Sequence, residues 1–293
     1  MRTDTWLVLD CNFLCRRASY VFRGLSHEEF PTGVIFGFLS DLLHFQQRFD
    51  ALQVVCCFDH GRSKRYRHFP GYKAARQKKK LQATPEEKKV EQEFRDQIYR
   101  LWAHILPEIG FENVLIADGF EADDWIAKAV QTISRDFPDD QSVIISSDRD
   151  MFQLIGPRTQ IWNPNSKRLY TLQSFNANYG VTPQDWIRVK AISGCSSDGI
   201  PGAEKIGEKT ALKYLKGELM NYTQGYRIIH RFLRSPEFGR NMLLVQLPFI
   251  GIPDPQLVKH EVSPRKWKQA MIGLGMDSLA KDGPYIGRRS HVG

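Results

Sequence analysis

Acidic residues stand at the ends of three apolar runs in this chain. The residues at these positions are Asp10, Asp59, Asp148 and Asp150, and a further group, Glu121, Asp123 and Asp124, opens a segment with helical periodicity. Loops at the carboxyl ends of parallel strands meet at one edge of a sheet, so we expect these seven carboxylates to converge. Close carboxylates repel one another unless cations compensate them. The pattern predicts a magnesium-dependent enzyme that acts on a phosphorylated substrate.

The elements that must position these residues are short β-rich runs alternating with helical segments, which predicts an α/β fold with a mostly parallel sheet. We predict parallel strands over 6–10, 53–58, 113–117 and 142–147, and an antiparallel pair over 159–162 and 168–171. We predict helices over 34–49, 84–106, 122–133 and 265–272, and one beginning near 208. Residues 60–84 are basic without sustained periodicity and are interpreted as a mobile connection.

Length and composition limit the class of protein. A chain of 293 residues with 42% hydrophobic residues can form one large α/β domain with a smaller one appended. No apolar run is long enough to span a membrane, and the N-terminus lacks the form of a signal peptide, so we expect no membrane partner. The five cysteines show no zinc-site spacing. They indicate a reducing compartment, and we predict a cytoplasmic protein.

The charge distribution indicates a nucleic-acid partner. The net charge is +8 despite the acidic group, so positive charge must concentrate elsewhere. It does so in two runs, residues 62–68 and 76–80, and the aromatic residues Tyr66, Phe69 and Tyr72 lie within or between them. A basic surface beside a carboxylate site suits a nuclease, because phosphate contacts dominate affinity for nucleic acids.

Three motifs in a fixed order carry a resemblance to a known family. Residues 119–124 match G-x-E-A-D-D, residues 146–150 match S-x-D-x-D, and residues 198–211 resemble D-N-I-P-G-x-x-G-I-G-x-K-T-A. With Asp10 and Asp59 upstream, this set resembles the 5′-nuclease or flap-endonuclease family, which includes bacteriophage 5′-exonucleases and the 5′-nuclease domain of bacterial DNA polymerase I. The resemblance extends from about residue 6 to at least 220.

The resemblance implies a fold, a division of the chain and an activity. It implies a PIN-like nuclease core over 1–182 with a basic helical arch at about 60–106. A helix-hairpin-helix-type DNA-binding region would follow over 183–264, and a C-terminal helix with a flexible tail over 265–293. The implied activity is structure-dependent 5′-nuclease cleavage of DNA that carries 5′ flaps, 5′ ends or nicks, with RNA–DNA hybrids as a further substrate. We expect a monomer.

The implied cofactors are two Mg²⁺ ions, for which Mn²⁺ can substitute. By resemblance, the first site is built by Asp59, Glu121, Asp123 and Asp124, with Asp10 in support. The second site would use Asp148, Asp150 and Asp198. Two-metal hydrolysis needs carboxylates that hold ions about 3.5–4 Å apart. The alternative for a single member, Asp10 or Asp123, is a helix or turn cap.

Residues 70–76 resemble the family's P-x-Y-K-x-x-R at the base of the arch. The resemblance implies that Lys73 and Arg76 are catalytic and that they position the scissile phosphate and offset its charge. Tyr72 is expected either to stack on a base or to pack under the arch. Arg65 is a candidate for a second phosphate contact.

The glycine-rich segment 199–207 resembles the family's helix-hairpin-helix variant. Glycine backbones and a following helix N-terminus favour phosphate binding. The expected DNA-binding residues in and after this segment are Gly202, Lys205, Gly207, Lys209, Thr210 and Lys213. The resemblance also implies a K⁺ ion held by hairpin carbonyls. A Gly-rich ATP loop is the rival interpretation, and the spacing lacks the Walker form.

The chain departs from the family at one site position. The family carries G-D-x-x-D before the hairpin, whereas this chain has Cys195 in place of the first Asp. A thiol is a poor magnesium ligand, so we expect a weakened second site with activity retained. The alternatives are a branched-DNA-binding protein with decayed catalysis and an RNA-cutting nuclease of the PIN type.

Overall fold

The computed structural model describes residues 3–287. A six-stranded sheet with the order β5-β4-β1-β6-β7-β8 forms its centre, and all neighbours are parallel except β7 and β8. The strands of the described chain are β1 (Thr5–Asp10), β2 (Ser26–His27), β3 (Phe30–Pro31), β4 (Gln53–Cys57), β5 (Val114–Leu115), β6 (Gln141–Ile145), β7 (Thr159–Asn163), β8 (Arg168–Tyr170), β9 (Gly194–Cys195) and β10 (Ile200–Pro201). The predicted fold class is confirmed, as is the antiparallel pair at the sheet's edge.

Helices cover both faces of the sheet. They are α1 (Cys11–Val21), α2 (Gly33–Phe49), α3 (Ala74–Leu81), α4 (Pro85–Arg100), α5 (Leu106–Ile109), α6 (Ala122–Asp136), α7 (Leu172–Tyr179), α8 (Asp185–Ser193), α9 (Glu208–Leu215), α10 (Gln224–Phe232), α11 (Pro236–Val245), α12 (Pro264–Gly273) and α13 (Asp277–Asp282). No helix among residues 3–287 is long and apolar enough to cross a membrane.

Two hydrophobic clusters lie on opposite faces of the sheet. Leu7 and Leu9 of β1 belong to the cluster that includes Trp267 of α12. Trp6 and Val8 alternate with them along the strand and belong to the second cluster, which includes Ile229 of α10. Because side chains of a strand point to alternate faces, a strand buried on both sides must be apolar at every position. The continuous apolar run of β1 is explained by this burial.

The central strands place the acidic residues as the sequence predicts. Strands β4, β1 and β6 are neighbours in parallel register, with Leu9 opposite both Cys56 and Ile145. Their carboxyl ends therefore share one rim, where Asp10, Asp59 and Asp148 emerge.

Segment 60–84 is more ordered than predicted. It contains a 3₁₀ turn (Lys64–Arg67) and helix α3, which has no buried residue. A helix without an apolar stripe leaves no periodic signal in the sequence. The predicted capping box at Thr84 is present, with Thr84 accepting from the Glu87 amide. The helix predicted to reach residue 106 is interrupted by a π-turn at Leu101–Ile105.

The carboxyl-terminal part contains two helices. Helix α12 corresponds to the helix predicted over 265–272, and α13 follows it and ends at Asp282. Residues 288–293 of the predicted flexible tail lie outside the described residues. The division at residue 182 remains a prediction, although Trp186 of α8 packs in the same cluster as Trp6 of β1.

Candidate active site

Asp10 is held at the end of β1 by two hydrogen bonds. Its Oδ1 accepts from the Phe13 amide at 3.0 Å, which caps α1, and its Oδ2 accepts from Ser146 Oγ at 2.8 Å. The Asp148 amide donates to the same Ser146 Oγ at 3.1 Å. Ser146 therefore ties the ends of β1 and β6 together. The predicted alternative role of Asp10 as a cap is present, alongside its place on the rim.

The N-terminus of α6 is fastened to the loop after β4. The Ala122 amide donates to Asp59 Oδ1 at 2.6 Å, and the Asp59 amide donates to Asn12 Oδ1 at 2.9 Å. Glu121 is the N-cap residue of α6 and Asp123 lies in its first turn. Helix α1, the loop after β4 and the N-terminus of α6, which are distant in sequence, thus meet at one point.

The electrostatics of this group favour added cations. Burial raises the pKa of Asp10 to about 7, and the charges of Asp59 and Asp148 add to that effect. Burial, together with Asp10 and Asp148, also raises the pKa of Asp123. These carboxylates hold protons more strongly than usual because they are close and desolvated. A divalent cation would remove that penalty, so the oxygen-rich donor set fits Mg²⁺ or Mn²⁺.

The base of the predicted arch supplies cations to the acidic rim. Lys73 Nζ donates to Glu121 Oε1, and the side chain of Arg76 contacts Asp198 Oδ1 at 3.1 Å. The Lys73 amide also donates to the Asp198 carbonyl at 2.7 Å. Burial opposes the charge of Glu121, but Lys73 and Arg65 lower its pKa overall. The segment that carries Lys73 and Arg76 therefore rests directly on the turn that connects β9 and β10.

Gly199 permits this contact. A Cβ at Gly199 would lie 2.7 Å from the Gly71 carbonyl oxygen, and the residue has a φ of +70°. Only glycine tolerates both the close approach and the left-handed conformation at low cost.

A second acidic group contains Cys195, the residue at which the chain departs from the family pattern. One ligand atom from each of Asp150, Cys195 and Asp198 lies within 4.8 Å of the others. Cys195 thus occupies the position where the family pattern has an aspartate. Lys190 of α8 contacts Asp150 Oδ1 at 2.7 Å, with both side chains largely buried. Asp150 and Asp198 are therefore each paired with a cation of the protein.

Two residues with predicted roles, Arg65 and Asp124, are paired with each other in the interior of the protein. Arg65 is 2% exposed, and its guanidinium contacts both oxygens of Asp124 at 2.7 Å. Asp124 is fully buried and also accepts from the amides of Phe249 and Glu121. Arg65 is therefore not available to a DNA phosphate, and the Asp124 oxygens have no lone pair left for a metal ion. Both residues act in a buried ion pair that anchors α6.

The open question on Tyr72 is resolved in favour of packing. The residue is 4% exposed, and its hydroxyl donates to Glu121 Oε2 at 2.7 Å. Tyr72 therefore orients the Glu121 carboxylate, and its ring is not available for stacking on a base.

The glycine-rich segment joins two helices through a hairpin. Strands β9 and β10 pair antiparallel between α8 and α9, with Ile200 opposite Cys195. A Cβ at Gly202 would lie 2.3 Å from the carbonyl carbon of Ser193, so this glycine is required by packing within the protein. Gly207 faces open space and precedes α9.

The predicted DNA-binding lysines lie on the outer side of this hairpin. Lys205, Lys209 and Lys213 are exposed. Thr210 lies in the first turn of α9, beside Gly225 of α10. Five of the six predicted residues of this segment, all except Gly202, therefore lie at the surface or at a helix N-terminus.

Sequence reasoning missed four residues that shape the site. Ser146 lies within a recognised motif but was assigned no role, whereas Asn12 and Lys190 belong to no motif. Arg149 contacts Glu208 of α9 at 2.7 Å and so connects the S-x-D-x-D segment to the hairpin. Only its position between Asp148 and Asp150 could have drawn attention to it.

Comparison with known proteins identifies the family. The family described as "5′-3′ exonuclease, N-terminal resolvase-like domain" matches residues 5–180. The 5′-3′ exonuclease of Buchnera aphidicola is 31% identical over 245 residues, covering 82% of this chain and 79% of that protein. The 5′-3′ exonuclease of Bacillus subtilis is 33% identical over 193 residues, covering 64% of this chain and 59% of that protein. The chain therefore belongs to the 5′-3′ exonuclease family.

The solved structures agree on the fold. The crystal structure of the bacteriophage T5 D15 protein with metal ions superimposes with a TM-score of 0.70 at 22% identity, covering 95% of this chain and 97% of that one. The predicted family and, with it, the enzyme class of 5′-3′ exonuclease are confirmed by the sequence matches.

Proposed function

We propose that this chain is a structure-dependent 5′-nuclease that hydrolyses DNA phosphodiesters at 5′ ends, flaps and nicks with two divalent ions. The observation that supports this proposal is that Asp10, Asp59 and Asp148 meet the first turn of α6 at one rim. Lys73 and Arg76 contact two further carboxylates, those of Glu121 and Asp198. A site that combines metal-ligand oxygens with movable cations suits phosphoryl chemistry.

The first ion would be held by Asp59, Glu121 and Asp123, with Asp10 in support. The second would be held by Asp148, Asp150 and Asp198. Mg²⁺ is the proposed ion, with Mn²⁺ as a substitute, because the donors are oxygens apart from one thiol. When bound, such ions supply an activated water and stabilise charge on the phosphate.

Lys73 and Arg76 are proposed to exchange partners when substrate binds. Arg76 is 55% exposed in its pair with Asp198, and Lys73 is 24% exposed in its pair with Glu121. An exposed cation such as Arg76 gains little free energy from its ion pair, about 0–1 kcal/mol, so a phosphate can replace Asp198 as its partner. The pair of Lys73 and Glu121 is more buried, so its exchange costs more and needs the phosphate to take over the charge of the carboxylate. These two cations would then hold the scissile phosphate against the ions.

The hairpin is proposed to hold the duplex without reading its sequence. Lys205, Lys209 and Lys213 would contact phosphates, and a K⁺ ion at the carbonyls of 199–207 would strengthen that contact. We further infer that the protein acts as a cytoplasmic monomer and accepts RNA–DNA hybrids, which share a charged backbone. The net charge of +8 supports a polyanionic partner.

A second candidate is a branched-DNA-binding protein that cuts slowly. The pairing of Lys190 with Asp150, together with the thiol of Cys195, favours it, since both reduce the charge available to a second ion. We rank it below the nuclease because the first carboxylate group is complete apart from Asp124.

The deciding experiment is cleavage of a 5′-labelled flap duplex in Mg²⁺ by the native chain and by Asp148→Asn. The matched control is Asp139→Asn, which makes the same change at a side chain that is 80% exposed and remote from the rim. We expect cutting near the junction by the native chain and the control only. Tight flap binding without cutting in Mg²⁺ or Mn²⁺ would overturn the nuclease proposal in favour of the second candidate.

A further inference from the structure

Helix α10 presents a basic face that has no part in the proposed active site. Arg227, His230 and Arg231 are exposed on α10, and the exposed Arg234 follows the C-cap residue Leu233. Residues three or four apart share one face of a helix, so the four side chains point to one side. They line a groove of about 550 Å³.

The guanidinium groups of this face have no acidic partners. Within residues 3–287, no carboxylate lies within 4.0 Å of a side-chain nitrogen of Arg227, Arg231 or Arg234. The opposite side of the helix is anchored, because Ile229 is fully buried against the sheet's core. A rigid helix thus holds three uncompensated cations in solvent, a distribution that attracts a polyanion.

This face is continuous with the hairpin region. The ring of Tyr226 on α10 lies 5.2 Å from that of Tyr214 on α9, and it stacks on His230 at 5.7 Å. Helix α9 carries the exposed Lys209 and Lys213. The rings therefore fix α10 against α9, so that the two sets of cations belong to one surface.

We propose that this surface, Arg227, His230, Arg231 and Arg234, binds the phosphate backbone of a duplex DNA arm beyond the hairpin. Residues 227 to 234 span roughly 10 Å at 1.5 Å per residue. Duplex DNA carries one charge per about 1.7 Å, hence about six phosphates over that length, twice the density of a single strand. The inference rests on the proposed function, since it extends the DNA surface of the same enzyme.

The test compares two triple variants with equal loss of charge. The first is Arg227→Gln, Arg231→Gln and Arg234→Gln on the α10 surface. The control is Arg265→Gln, Lys266→Gln and Lys268→Gln on α12, whose side chains are exposed and whose Trp267 packs on the opposite face of the sheet. Affinity for a blunt duplex is measured as a function of salt concentration, without divalent ions.

We expect the salt slope of log affinity to fall by about 0.9 for each lost phosphate contact, and so by about 2.7 for the α10 variant. The α12 control is expected to keep the native slope. The variant with lysine at all three α10 positions retains charge and is expected to keep most of the slope, which separates loss of binding from loss of fold. Equal slope changes in the α10 and α12 variants would overturn the proposal.

Two further measurements distinguish this proposal from the proposed function. Single-turnover cleavage of a flap at saturating enzyme is expected to be unchanged in the α10 variant, because the carboxylate rim is intact. A chain that never cuts would refute the nuclease while leaving the duplex titration interpretable. A loss of affinity as large for single-stranded DNA as for duplex would contradict the assignment of a duplex arm.

Discussion

The ion pair between Arg65 and Asp124 gives the sharpest stability prediction. Replacing Arg65 by Met removes a guanidinium that is 3% exposed and leaves the carboxylate of Asp124 fully buried. Asp124 keeps the amides of Phe249 and Glu121 but loses both 2.7 Å contacts to the cation. The carbonyl of Leu244 also loses its donor, at 2.9 Å.

The expected cost follows from this geometry. Breaking a buried pair by removing one partner costs about 3–5 kcal/mol, because an uncompensated charge stays in the interior. We take about 4 kcal/mol for Arg65→Met, since two amides still solvate the Asp124 carboxylate. For a chain of this size, 1 kcal/mol shifts the melting temperature by roughly 2 °C, so a decrease of about 8 °C is expected.

The assay is urea unfolding of the native chain, Arg65→Met, Asp124→Leu and the double variant. Removing both charges is often close to neutral, so the double variant is expected to regain at least half of the loss. DNA affinity, measured well below the melting temperature, is expected to stay within a factor of three of native, because Arg65 does not face solvent. A loss of DNA affinity with a free energy of unfolding within about 1 kcal/mol of native would refute this reasoning.

Two further predictions concern the second acidic group and pH. Cys195→Asp adds a carboxylate beside Asp150 and Asp198 and is expected to tighten Mn²⁺ binding by about tenfold and to speed cleavage. The control Cys195→Ser adds no carboxylate and is expected to change neither. Calorimetry measures the Mn²⁺ affinity, and an unchanged metal dependence of Cys195→Asp would count against the assignment of this group as the second metal site. Burial lowers the pKa of His260, so the folded protein resists its protonation, and stability present above the unfolded pKa of about 6.5 is lost as pH falls. Between pH 8 and 5, the native chain should therefore lose free energy of unfolding relative to His260→Leu, and parallel curves for the two chains would show that His260 is not the group responsible.

Much of the site was predictable because most of its acidic residues lie next to sequence patterns that identify strands. Each of Asp10, Asp59 and Asp148 follows an apolar run, and parallel strands bring such ends together whatever the loops do. Helix α3 was not predictable, because it buries nothing and so has no periodic apolar positions. Hydrophobic periodicity in a sequence reveals the face that a helix or strand buries. For an element that buries no face, only its amino-acid composition remains as a signal.

The roles of Arg65 and Asp124 could not be read from spacing. In G-x-E-A-D-D, Glu121 and Asp124 are three apart and share a helix face, so the spacing gives both residues the same predicted role as metal ligands. The two residues differ in how far distant segments of the chain bury them. The Phe249 amide, 125 residues away in sequence, donates to Asp124, whereas the Glu121 side chain remains partly accessible. The tertiary environment decides the role that the motif leaves open.

Burial also determines how readily each ion pair of the site can be exchanged. Arg65 and Asp124 are 3% and 0% exposed, so their pair is fixed, and its loss should appear as instability. Arg76 is 55% exposed opposite Asp198, and its pair can be exchanged for a phosphate at little cost. Lys190 lies between these limits at 14%, opposite an Asp150 that is 15% exposed. An ion near Asp150 must therefore compete with a partly buried ammonium, which makes Lys190, together with Cys195, a determinant of how tightly the second group binds metal.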